Sequence, residues 1–171
     1  MKNRMEIRTD RLLITEFDES MVESVHLNSL DEETRRFVPD EVFETREDAR
    51  EVVEFLISAY EGTSGPFVYP VLLHEGENIG YVQAVPIKDG YEVGYHMAQA
   101  FRGNGYTTEA LKAFLPAIMD QLKIEHIYGI CHGENIPSQR VLEKTGFTLE
   151  CREMASYQGK TQEILKYKYS L

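Results

Sequence analysis

Cysteine occurs only at Cys131 and Cys151, and neither belongs to a CxxC pair or a cysteine–histidine cluster. The five histidines, His26, His74, His96, His126 and His132, form neither HxH nor HExxH, so no metal is expected. Positive charge is scarce as well. Eighteen basic against twenty-nine acidic side chains leave a formal net charge of −11, which repels a duplex and argues against a nucleic-acid partner. No run approaches the ~20 apolar residues of a membrane span, and the opening MKNRMEIRTD is too charged for a secretory signal. The expected setting is therefore the cytoplasm, with no membrane partner. Repeats, linkers and low-complexity tracts are also missing, so residues 1–171 are expected to form a single domain around one core. The acidic balance suits an amine, a polyamine or a basic protein tail as partner.

What is present is a clear alternation of periods. RLLITEF (Arg11 to Phe17) reads as a strand, and ESMVESVHLNSL carries apolar residues near helical spacing. TREDAREVVEFLISAY predicts a helix with Thr45 as its N-cap and Asp48 three residues on, a variant capping box. FVYPVLLH, NIGYVQAVPI and YEVGYHMAQ, separated by the turn signals EGE and KDG, predict an antiparallel meander at the centre of the sheet. Thr107 or Thr108 is the expected cap of the next helix, which Pro116 should kink. IEHIYGICH resumes a strand, Asn135 can cap a short helix ending near Gly146, and two last strands meet across the turn QGK. That order predicts a mixed sheet with helices on both faces.

Between meander and helix lies QAFRGNGYTTEA, residues 99 to 110. Glycines directly before a helix let backbone amides approach an anion, which makes the loop a candidate phosphate cradle. It lacks the Lys-Ser or Lys-Thr pair of a Walker loop, and Thr108 stands where a dinucleotide fingerprint needs its third glycine. The alternative is an ordinary strand-to-helix turn with an exposed arginine.

The stretch YEVGYHMAQAFRGNGYTTEAL and the later NIPSQRVLEKTGF together resemble the GNAT superfamily of N-acetyltransferases. The wording is most similar to the branch of ribosomal-protein N-terminal acetyltransferases, as are TDRLLI and YQGKTQEILKY near the two ends. The family's loop pattern falls on Arg102, Gly105 and Thr107, with Thr107 replacing a small residue. The resemblance implies an α+β, mixed α/β fold. Its sheet is central and mostly antiparallel, with six to seven strands, about four flanking helices, and a splay between the fourth and fifth strands. It also implies acetyl-coenzyme A as cosubstrate and no metal. The pyrophosphate would be cradled by backbone N–H groups of Arg102, Gly103, Asn104, Gly105, Tyr106 and Thr107, with Thr108 beside them. The coenzyme arm would meet Met97, Ala98 and Gln99, with Asn135 and Ser138 across the gap.

Acetyl transfer to an amine needs a base, N–H donors for the carbonyl oxygen and a proton for the departing thiolate. The amide of Met97 is the implied oxyanion donor. Glu92 matches the family's general-base position; the alternative is a solvent-facing strand glutamate. Period two places Glu92, Gly94 and His96 on one face, so His96 is the rival base. Where many members carry a tyrosine acid, this chain has Leu142. Ser138 is the implied replacement, or else simply an early-helix residue. A glutamate expected before the tail's Tyr-x-x-Gly is replaced by Ser156. Arg140 and Lys144 either reach the coenzyme's 3′-phosphate or remain solvated charges. Cys131 and Cys151 are not expected to be nucleophiles. The implied activity is transfer to a primary amine by direct attack in a ternary complex, the acceptor being a protein N-terminus, polyamine, amino acid or aminoglycoside. A non-catalytic coenzyme-binding sensor or interaction module is the alternative, and a homodimer is compatible with both.

Overall fold

In the computed structural model, which describes residues 2–157 and 159–171, the alternating runs become strands of one sheet. β1 (Ile7–Arg8) and β2 (Leu12–Ile14) lead into the meander of β3 (Phe67–Leu73), β4 (Asn78–Ile87) and β5 (Gly90–Met97). β6 (His126–His132) joins β5 in parallel, and β7 (Thr148–Tyr157) and β8 (Lys160–Ser170) complete the order β1-β2-β3-β4-β5-β6-β8-β7. All other pairings are antiparallel, as the fold class requires. The turn QGK contains Gln158, which lies outside the described residues.

Side-chain alternation assigns the two faces. Val82, Ala84 and Val93 point into the larger core, which α4 (Tyr106–Leu122) covers with Ala110, Leu111, Phe114, Leu115, Ile118 and Met119. α5 (Ile136–Lys144) docks on that side through Leu142, against β6 at Gly129. A Cβ at Gly129 would stand 2.5 Å from Leu142 Cδ2, so the contact depends on the missing side chain. On the opposite face α1 (Val22–Asn28) and α3 (Arg46–Ala59) pack Val22, Ala49, Val53 and Leu56 against Val68, with Tyr81 beside them. α3 begins as expected: Thr45 Oγ1 accepts the Asp48 N–H at 3.0 Å and the Asp48 carboxylate accepts the Thr45 N–H at 3.2 Å.

Among the described residues, eight strands and five helices exceed the expected six to seven and about four. The extra elements are short: β1 has two residues, and α2 (Glu32–Phe37) has six, too few to display a period. α2 is signalled only by Asp31, whose carboxylate accepts the Thr34 N–H at 3.1 Å. A second correction concerns α4. Its N-cap is Gly105 rather than Thr107 or Thr108, because φ of +78° lets the glycine turn the chain two or three residues earlier. The helix then runs through Pro116 as a single element.

The sheet opens between β5 and β6, which are the fourth and fifth of the expected strands once the unexpected two-residue β1 is set aside. Their ladder consists of Glu92↔Tyr128 and Val93↔Gly129, and beyond it the strands diverge. Because the Ala98 N–H bonds Ile79 O on β4 at 2.7 Å, alternation turns the amides of Met97 and Tyr95 into the gap. On the opposite lip the Ile130 carbonyl, where the ladder stops, accepts the Tyr157 hydroxyl at 3.4 Å.

Candidate active site

The gap widens into a cleft of about 610 Å³ that runs from the glycine loop to the N-terminus of α5. Among the sequence-predicted residues, Glu92, His96, Met97, Arg102, Gly103, Gly105, Tyr106, Thr107, Thr108, Asn135 and Ser138 line it, as do Arg140 and Lys144. Ala98, Gln99 and Asn104 do not. Ala98 is tied to β4, Gln99 begins a 3₁₀ turn, and Asn104 Nδ2 folds back onto the Arg102 carbonyl at 3.2 Å.

The loop is held open from behind. Gly103 and Gly105 take φ of +80° and +78°, and nothing lies within 4 Å of where a Gly103 Cβ would be. Gly105 gives α4 no side-chain cap, so the amides of Tyr106, Thr107 and Thr108 have no intrahelical acceptor and face an anion without competition. Arg11, which the sequence did not flag, buttresses the loop. Its Nη1 donates to Asn104 O at 2.9 Å, its Nε pairs with Glu109 at 2.7 Å, and its guanidinium lies 4.3 Å from the Tyr106 ring centre.

Arg102 contributes to the loop differently from expectation. Its N–H donates to Gln99 O at 3.3 Å, which removes it from the cradle. The side chain turns inward: Nε bonds Met97 O at 2.9 Å, and Nη1 bonds Asp31 at 2.9 Å and Glu33 at 3.0 Å. The guanidinium thus fastens α2 to the end of β5. Burial works against the Asp31 charge, but hydrogen bonds from Arg102 and Thr34 outweigh it and hold the carboxyl far below the usual range.

His96 lies beneath this clamp. Its Nε2 is 2.8 Å from Thr34 Oγ1 and 3.4 Å from Arg102 Nη2, and its ring stacks on Tyr81. Burial, followed by the neighbouring Arg102 charge, pushes its pKa down to about 4, so the ring is neutral and committed to α2. Glu92 is in the opposite condition. Burial, reinforced by the nearby Glu41, raises its carboxyl to about 7. Glu41 itself accepts hydrogen bonds from the Tyr81 hydroxyl and from Gln83 Nε2, the latter at 3.0 Å.

Across the gap Asn135 caps α5, its Oδ1 accepting the Ser138 N–H at 3.2 Å. The Ser138 hydroxyl stands 2.6 Å from the Tyr95 hydroxyl, a partner that sequence reasoning missed because the two residues are 43 positions apart. Burial first, opposed by the bond to Ser138, raises the Tyr95 phenol well above its ordinary value. Leu142, 1% exposed, is core and not cleft. Cys131 is buried and its thiol is pushed up to about 11, mainly by burial.

A weak carboxyl on one sheet face, paired hydroxyls on the other, unpaired amides between them and an open anion cradle at one end form a site for acyl transfer. Known proteins agree. Residues 11–148 match the acetyltransferase (GNAT) domain. The chain is 31% identical over 150 residues to YnaD of Bacillus subtilis (strain 168), an uncharacterized N-acetyltransferase, covering 85% of this chain and 84% of that one. A GNAT-family acetyltransferase from Bacillus anthracis superposes with a TM-score of 0.82 at 27% identity, over 97% of this chain and 98% of the other. A ribosomal L7/L12 α-N-protein acetyltransferase in complex with coenzyme A shares the fold, with a TM-score of 0.82, 22% identity and coverage of 95% and 96%. The protein belongs to the GNAT acetyltransferase family.

Proposed function

We propose that the protein acetylates a primary amine by direct attack within a ternary complex, Glu92 serving as base and Ser138 with Tyr95 as acid. Acetyl-coenzyme A supplies the acetyl group as an activated thioester. The open Gly103–Thr108 cradle fits its pyrophosphate, and Arg140 and Lys144 border the same cleft. The Met97 amide, which faces the gap, donates to the carbonyl oxygen as negative charge builds there. Glu92 takes the proton that the amine loses as the C–N bond forms. Ser138 gives its proton to the sulfur as the C–S bond breaks, the Tyr95 hydroxyl donates to the serine oxygen across their 2.6 Å contact, and the pair regains a proton from water while Glu92 releases its own to water. The buried, weakly acidic thiol of Cys131 argues against a covalent enzyme intermediate.

The observation that carries this reading is the convergence of Glu92, Met97, Ser138 and the glycine loop on one cleft, where burial raises the Glu92 carboxyl toward neutrality so that it can accept a proton from an amine. Thiol release from acetyl-coenzyme A, measured against a panel of amines and short peptides, tests it. Amine-dependent release that rises through about pH 7 is expected. The second reading, a coenzyme-binding module without turnover, is favoured by Leu142, which puts methyl groups where a tyrosine acid would be. It requires stabilisation by coenzyme A and no thiol release with any amine.

A further inference from the structure

The sheet face that carries Glu92 holds a second cavity, of about 250 Å³, between α1, α3 and strands β3–β4. Phe17, Val25, Phe43, Val52, Leu56 and Val68 supply much of its apolar wall, and Asn28, Ser29, Asp40 and Asn78 also border it. Its floor continues into the cleft. On one face of the β4–β5 ladder the cross-strand pairs are Tyr81↔His96, Gln83↔Gly94 and Val85↔Glu92. The β4 members of these pairs line the apolar cavity, and the β5 members line the cleft. Among the described residues Glu41, Gln83 and His96 stand between the two spaces; Glu41, from the turn after α2, rests on the Tyr81 hydroxyl and on Gln83. Glu41 borders both.

The geometry points to this cavity as the seat of the acceptor's side group, the acceptor being a small primary amine whose ammonium is carried on an aromatic or branched-alkyl group. The inference rests on the transfer reading above and names its substrate class. Three observations select this occupant. The cavity adjoins Glu92 through the Val85↔Glu92 pair, so an amine at Glu92 directs its substituent along the floor toward Val85 and Gln83. Glu41 and Glu92 present two carboxyl groups at the junction, which suit a cationic head and repel an anionic one. A cavity of about 150 Å³ already holds a benzene-sized group, so this one accommodates an aromatic ring with its linker but not a folded segment. Charge agrees with this assignment. The first 65 residues, which supply α1, α2, α3 and Glu41, contain seventeen of the twenty-nine acidic side chains and eight of the eighteen basic ones.

The test is thiol release with ethylamine, isoamylamine, phenethylamine and putrescine, in the wild type and in Val52→Phe, which fills the cavity from α3. We expect phenethylamine to exceed ethylamine by roughly 100-fold in kcat/KM, with putrescine near ethylamine, and Val52→Phe to reduce that preference to about fivefold or less. Stabilisation by coenzyme A in thermal melting confirms that the variant is folded, and Val25→Phe repeats the test from α1. Equal rates across the series, a preference for putrescine, or an unchanged ratio in both folded variants overturns the subsite while leaving acetyl transfer intact. Fluorine NMR of 4-fluorophenethylamine separates the two claims. Broadening that Val52→Phe abolishes, without thiol release from any amine, keeps the subsite and removes the transfer reading; absence of both broadening and turnover removes the subsite.

Discussion

Glu92 owes its proposed role to its surroundings more than to its identity. A carboxyl raised to about 7 is half ionised at neutral pH, and the rate should climb as pH rises through that value. Glu92→Gln should lower kcat by roughly 100-fold and flatten this limb while leaving coenzyme stabilisation unchanged, as pH–rate profiles and melting curves would show. The same shift carries a sign for stability. A carboxyl whose pKa rises on folding contributes stability that is full below the ordinary carboxylate range and lost as pH climbs through about 7. Above that pH Glu92→Gln should therefore be more stable than wild type, by roughly 2 kcal/mol in urea titrations. Glu41 is the second cause of the shift, so Glu41→Gln should move the rising limb to lower pH; an unmoved limb would assign the shift to burial alone. Position on a strand and a family pattern made Glu92 legible in the sequence. Its pKa was not legible, because Glu41 approaches it from a turn 51 residues away.

The glycine loop and α4 work as one element. Gly105→Val places a β-branched residue at φ of +78°, costing about 1–2 kcal/mol, and puts methyl groups into the anion's approach. Loss of coenzyme-induced stabilisation with a near-native circular dichroism spectrum is expected. Arg102→Met should release α2 from β5. Stranding the buried Asp31 carboxylate costs about 3 kcal/mol at neutral pH, a wild-type advantage that fades as pH falls below about 4, where Asp31 in the unfolded chain becomes protonated. The meander, the capped α3 and the glycine turn before α4 were legible because turn glycines, period two and a capping box are local signals. α2 was not, and neither was the inward turn of Arg102 toward Asp31 and Glu33, contacts that span 71 and 69 residues. In sequence RGNG reads as a loop whose arginine reaches outward, whereas the folded chain uses that arginine as a fastener and leaves the loop amides open toward the cleft.

At the scale of the molecule, charge is unevenly distributed. The first 65 residues hold most of the acidic excess, so a cationic acceptor is steered to that side and its KM should rise roughly threefold between 20 and 200 mM salt. A salt-independent KM would mean that this field does not reach the site. The sheet itself is two plates joined by two residue pairs, and this join has a folding consequence. Beyond Val93 no β6 residue is paired with Tyr95 or Met97, so their amides face the gap and exchange their hydrogens without any opening of the sheet. A coenzyme arm bearing its own amides occupies, in hydrogen-bond terms, the place of an absent ninth strand. Slowed exchange at Tyr95 and Met97 on coenzyme addition would mark the point at which the sheet becomes continuous and its two halves unfold as one cooperative unit.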